Sequence, residues 1–98
     1  MEDTATQAWR HVPDMHPSVF IQEEADARKW SRETLAVAMA ATTAGDAGEY
    51  LLMLDLYAEV GPNDARLRMG DHMADGLAGA FGVSRDFWLN IERSWLPA

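Results

Sequence analysis

"GEYLLMLDLYAEV", Gly48 to Val60, is the stretch whose reading decides how this chain folds. At helical spacing Tyr50, Leu51, Leu54, Tyr57 and Ala58 make one apolar stripe. Leu52, Met53, Leu56 and Val60 carry it around most of the cylinder, and the carboxylates of Glu49, Asp55 and Glu59 interrupt it near a common side. A helix that is apolar nearly all round is buried on more than one face. Two readings of it stay open. Either it is a central core helix, or it is core on one side and a dimer or partner contact on the other. In the second reading Tyr50, Leu52, Met53, Leu56 and Tyr57 form the protein interface, rimmed by Asp55 and Glu59, and the i, i+7 pair Tyr50 and Tyr57 marks the partner surface.

Working outward, "ATTAGDAG" before this helix is small, polar and carries two glycines, which predicts a loop. "GPND" at Gly61 to Asp64 stops the helix on its other side. Upstream, "PSVFIQEEADARK" opens with Pro17 at a position that suits a first helical turn. "SRETLAVAMAA" follows, with Ser31 as N-cap and Glu33 in the first turn, where a negative charge favours the helix dipole. Downstream, a helix is expected over about Gly70 to Phe81 with Gly82 as its stop, and Ser84 caps a last one, "RDFWLNIERSW". Period-2 alternation is missing, so the expected class is all-α: five short helices in one compact domain, residues 16–98. Residues 1–15 are polar, aperiodic and broken by Pro13, and they read as a mobile tail in which Trp9 is the one anchor candidate.

Composition narrows the function classes. Ninety-eight residues make one modest core. The absence of Cys excludes disulfides, thiolate chemistry and cysteine-based zinc sites. No apolar run spans a bilayer and no leader precedes the domain, so the expected compartment is the cytoplasm, with no membrane partner. His11, His16 and His72 have no metal-ligand spacing, and Asp71, His72 and Asp75 read as surface charge at a helix N-terminus. Neither a nucleophile–base pair nor a phosphate-cradling glycine loop is visible, so the chain is not expected to be an enzyme or to need a cofactor. Gly76 and Gly79 cost their helix roughly 1 kcal/mol each relative to Ala, which suggests close approach by another backbone. The net charge of −8 lowers the prior for DNA, because duplex binding rests on Lys and Arg neutralising phosphates.

Two blocks nevertheless carry a resemblance. "HPSVFIQEEADARKWSRETLAVAMA" (16–40) and "FGVSRDFWLNIERSW" (81–95) resemble HigA-type antitoxins of the lambda-repressor-like, or Xre, helix-turn-helix class. His16-Pro17, Trp30-Ser31 and Phe87-Trp88-Leu89-Asn90 match that family in order and in local spacing. The resemblance implies a five-helix fold, a dimer, operator DNA as ligand and a ribonuclease toxin as protein partner. It departs from the family between Ala41 and Phe87, which is longer than the usual pattern by about a dozen residues. The tight turn that defines the motif is not visible there, and an extended segment is expected between helices 2 and 4.

The leading expectation is a repressor- or antitoxin-type transcriptional regulator, dimeric on operator DNA. Arg28, Lys29, Arg32, Arg66 and Arg68 would hold the DNA backbone, and Thr42, Thr43, Asp46 and Glu49 of the loop would read bases. The bland alternative for those cations is surface charge paired with Asp26, Glu33 and Asp64. The third helix lacks the Arg, Asn and Gln that usually read base edges. The rival expectation is therefore an acidic, helix-turn-helix-derived module that binds protein, such as a toxin or another basic partner, and no longer binds DNA. Trp95 is a further interface candidate, packing across a dimer axis.

Overall fold

The structure, a computed structural model, describes residues 15–96, and among them it is all helical. The expectations for the N-terminal tail, Trp9 and His11 included, lie outside the described residues apart from Met15, which is half-buried and packs against the core. Five α-helices follow in order: α1 Pro17–Ala27, α2 Arg32–Thr43, α3 Ala47–Glu59, α4 Gly70–Phe81 and α5 Arg85–Trp95. A single 3-10 turn, Gly61–Asn63, opens the connection from α3 to α4. Between α2 and α4, where the sequence predicts an extended segment, the chain forms α3 and then this connection.

The helix starts obey local chemistry. Ser31 Oγ accepts from the Thr34 amide at 3.1 Å, and Ser84 Oγ accepts from the Phe87 amide at 3.2 Å, so both serines cap as expected. The cap of α1 is an imidazole instead: Nδ1 of His16 accepts the Ser18 amide at 3.1 Å, ahead of Pro17 in the first turn. Gly82 ends α4 with a φ of 75°, the left-handed conformation that residues with a Cβ adopt less readily.

The stretch expected to be a loop, 41–48, is largely helix. α2 runs on to Thr43, and Ala44 takes the left-handed C-terminal position with a φ of 59°. Asp46 already caps α3, accepting from the Gly48 amide at 2.8 Å. Three residues, Ala44, Gly45 and Asp46, therefore join the two helices in a short connection that composition hid. Local bonding explains the miss. Thr42 and Thr43 both donate to the Met39 carbonyl, satisfying their hydroxyls within the last turn of α2.

α2 lies at the centre, against both α3 and α4. Its buried Leu35, Ala36 and Met39 meet Tyr50, Leu54 and Tyr57 of α3 and Met73, Ala74 and Leu77 of α4. Trp88 of α5 is fully buried and packs edge-to-face on Phe87, with Phe81 tilted against it. The expected close approach at the α4 glycines is real, but side chains make it rather than another backbone. A Cβ on Gly76 would lie 2.8 Å from the Tyr50 ring, and one on Gly79 would lie 2.6 Å from Cβ of Thr42. Missing side chains on α4 make room for those of α2 and α3.

Candidate functional site

The two faces of α3 separate cleanly. Tyr50, Leu54 and Tyr57 are buried, which corrects the assignment of Tyr50 and Tyr57 to an exposed protein interface: they are 0% and 2% exposed, and of the two only Tyr57 also lines the groove beside the helix. Each phenol is employed inside. Tyr50 Oη shares a hydrogen bond with Thr43 Oγ1 at 2.8 Å, and its ring stacks on His72. Tyr57 donates to Glu92 at 2.6 Å.

The outer face carries Leu52, Leu56 and Val60, which are 60%, 45% and 41% exposed. They sit at i, i+4 and i+8, a line of about 12 Å along the helix. Beside that line, Met53 and Leu56 form one wall of a groove of about 230 Å³, and Leu67, Met69 and Met73 form the other. α3 carries Glu49, Asp55 and Glu59 and no Lys, Arg or His. Glu49 has no ion-pair partner among the described residues, while Asp55 and Glu59 lie 2.9 and 3.7 Å from Arg32.

The cations expected to hold DNA are mostly engaged within the chain. Arg28 pairs with Glu24 at 2.8 Å, lies over the Phe81 ring at 4.8 Å and donates to the Phe81 carbonyl at the end of α4. Arg66 pairs with Asp64, whose carboxyl it holds below the usual carboxylate range through hydrogen bonds from its side chain and its amide. Arg68 reaches Glu92 at 3.2 Å. Lys29 alone of the five has no ion pair among the described residues, and it occupies the left-handed position that ends α1. Of the proposed partners Asp26, Glu33 and Asp64, Asp64 is the one that pairs. These cations lie at the end of α1, the start of α2 and in the α3–α4 connection. Exposed pairs of this kind are weak and exchange partners readily, so they offset phosphate attraction without abolishing it.

The base-reading candidates also have local roles. Thr42 covers Gly79, Thr43 holds Tyr50, and Asp46 caps α3, leaving Glu49 outward-facing in its first turn. Trp95, the last interface candidate, is half-buried and stands edge-on to His16 at 4.6 Å within the chain. Among the described residues no His, Asp and Glu cluster could hold a metal ion, Asp71, His72 and Asp75 included.

Sequence reasoning passed over the residue that braces this face from behind. Glu92 of α5 is 3% exposed, and its carboxylate accepts from Tyr57 Oη, from the Met69 amide at 2.6 Å and from Arg68 Nε. It ties α3, the connection and α5 together at the back of the groove. Burial, and then the Glu92 carboxylate it donates to, push the Tyr57 phenol well above its ordinary value. His16 packs against the same tyrosine at 4.4 Å and over Gly61. Because Nδ1 accepts the Ser18 amide, the proton of the neutral ring sits on Nε2, which has no hydrogen-bond partner among the described residues. Burial lowers the pKa of His16, and the nearby Glu92 charge opposes that shift. The one available sequence signal was the position of Glu92, four residues after Trp88 on a face otherwise turned inward.

A scan against protein-family models and searches of curated proteins and of solved structures found no match to this chain.

Proposed function

We propose that this chain is an acidic protein-binding module on a helix-turn-helix-like framework, an antitoxin-like inhibitor or adaptor that docks a basic protein through the outer face of α3. The observation that carries this reading is the line Leu52, Leu56 and Val60, exposed on a helix with three carboxylates and no cation. Fully burying a leucine contributes roughly 1.5–3 kcal/mol, so a partner that covers this line gains several kcal/mol before its ordering costs. A net charge of −8 steers a basic partner toward it. The same face is ill suited to a major groove, where apolar and acidic side chains meet phosphates and unsatisfied base edges.

The test pairs two assays on the full chain. Tagged wild-type protein is expected to retain a host protein that Leu52→Asp and Leu56→Asp variants lose, while duplex DNA at low salt gives no anisotropy change. Retention that is indifferent to both substitutions sinks the docking face. Tight, sequence-dependent, salt-sensitive DNA binding replaces it with the second reading.

That second reading, a dimeric regulator on operator DNA, is favoured by one observation: the three-residue turn Ala44 to Asp46 between α2 and α3. Lys29 and the highly exposed Arg66 would then contact phosphates, with Arg28, Arg32 and Arg68 exchanging their carboxylates for the DNA backbone. Its test is DNA from upstream of the protein's own gene against random duplex, at two salt concentrations. Losing Lys29 and Arg66 is expected to weaken all sequences alike and flatten the salt slope.

A further inference from the structure

We propose that the groove between α3 and the α3–α4 connection seats one bulky apolar side chain of an amphipathic helix flanked by Lys and Arg. This inference rests on the docking reading above and specifies the partner's chemistry.

The groove's size comes first. At about 230 Å³ it is smaller than the roughly 300–1,000 Å³ of sites that enclose small ligands, and it suits one anchoring side chain. Met53, Met69 and Met73 line it, and unbranched thioether chains repack around differently shaped anchors. Next to it, Leu52, Leu56 and Val60 repeat at helical spacing on an exposed helix, the arrangement that a second helix laid alongside would cover.

Charge then selects among occupants. Glu49, Asp55 and Glu59 border the apolar line, and Arg32 reaches the last two. Glu49 is left without a countercharge among the described residues. A second copy of this chain, related by a twofold axis, would set this carboxylate-bordered face against an identical one, like charge facing like charge. A helix bearing Lys or Arg on either side of its apolar face meets them with opposite charge. On the far lip Arg68 points to Glu92, so its charge is already answered.

The test uses the whole chain and dye-labelled synthetic helical peptides of about five turns. One peptide carries Leu and a single Trp on one face and Lys and Arg flanking it. A second has Trp→Ala, and a third has Glu in place of the cations. Anisotropy titrations are expected to show the first binding at least about tenfold more tightly than either control. Leu56→Ser and Leu52→Ser, made separately, are expected to weaken it by a similar factor, and Glu49→Lys by a few fold. Both leucines lie outside the core, and circular dichroism checks that each variant stays folded. Equal binding of the Trp and Ala peptides overturns the groove as a seat. Equal binding of the acidic peptide overturns the charge argument. A dimer in sedimentation velocity that Leu56→Ser dissolves would make the occupant a second copy and overturn the proposal. If capture of the host protein depends on Leu52 and Leu56 while no basic peptide binds, the docking reading stands and this partner chemistry falls. If capture ignores both leucines as well, both fall.

Discussion

α3 presents two faces of nearly the same hydrophobicity with opposite fates. Inward, Tyr50, Leu54 and Tyr57 are at most 3% exposed and each phenol has a hydrogen-bond partner. Outward, Leu52 and Leu56 are about as apolar and roughly half exposed. The difference lies in what the rest of the chain supplies: glycines that receive a ring on one side, and on the other only the partial wall of Leu67, Met69 and Met73. An inner residue on this helix is therefore expected to matter for stability, and an outer one for the proposed docking.

The largest effect is expected behind the inner face. Glu92→Ala leaves the Tyr57 hydroxyl and the Met69 amide buried without their acceptor, at about 1–3 kcal/mol for each orphaned group. Urea unfolding should show a loss near 3 kcal/mol, a large share of the ~5–15 kcal/mol that a domain has. A loss under about 1 kcal/mol would mean that water replaces the carboxylate and that Glu92 braces nothing.

Gly76→Ala tests the ring seat. The added methyl meets Tyr50 at 2.8 Å and Met39 at 2.9 Å, and overpacking of this kind costs about 1–3 kcal/mol. Since Ala is otherwise the better helix former, a rise in thermal midpoint would show that Tyr50 moves aside freely.

A pH series sharpens the comparison next. The folded pKa of His16 lies below its ordinary 6.5, so the unfolded chain binds the extra proton first. Its contribution is present in full above about pH 6.5 and is lost as pH falls through the lowered value. Protonation also ends the acceptance of the Ser18 amide by Nδ1 and so uncaps α1. The thermal midpoint should drop between pH 7 and pH 5, and His16→Gln should flatten that slope. An unchanged slope in the variant would assign it to other groups.

The smallest stability effect belongs to the outer face. Leu52→Ser with Leu56→Ser should move unfolding by no more than about 0.5 kcal/mol per site while abolishing partner capture. A loss comparable to that of Gly76→Ala would erase the contrast between the faces.

Much of the fold was legible in the chain because its signals are local. Ser31, Ser84 and Gly82 act within one turn of where they stand, so the starts of α2 and α5 and the stop of α4 could be read directly. The end of α2 could not. "ATTAGDAG" has a loop's composition, and it becomes helix and tight turn because Thr42 and Thr43 bond back to Met39 and lock onto Gly79 and Tyr50. The candidate site was legible in outline, since Leu52, Met53 and Leu56 were named from spacing and do face outward or line the groove. Tyr50 and Tyr57 were named with them and are core.

The sequence by itself determined an all-helical domain, the caps of α2 and α5, the stop of α4, and a third helix apolar nearly all round, because periodicity and capping are properties of adjacent residues. Only the tertiary structure decided which side of that helix stays open, that Glu92 is buried, and that Arg32 and Arg68 pair with distant carboxylates of the chain itself. The contacts that settle the first two points, and the pairs of Arg32 and Arg68, join residues more than 20 positions apart, and no local pattern encodes which distant carboxylate or glycine will arrive.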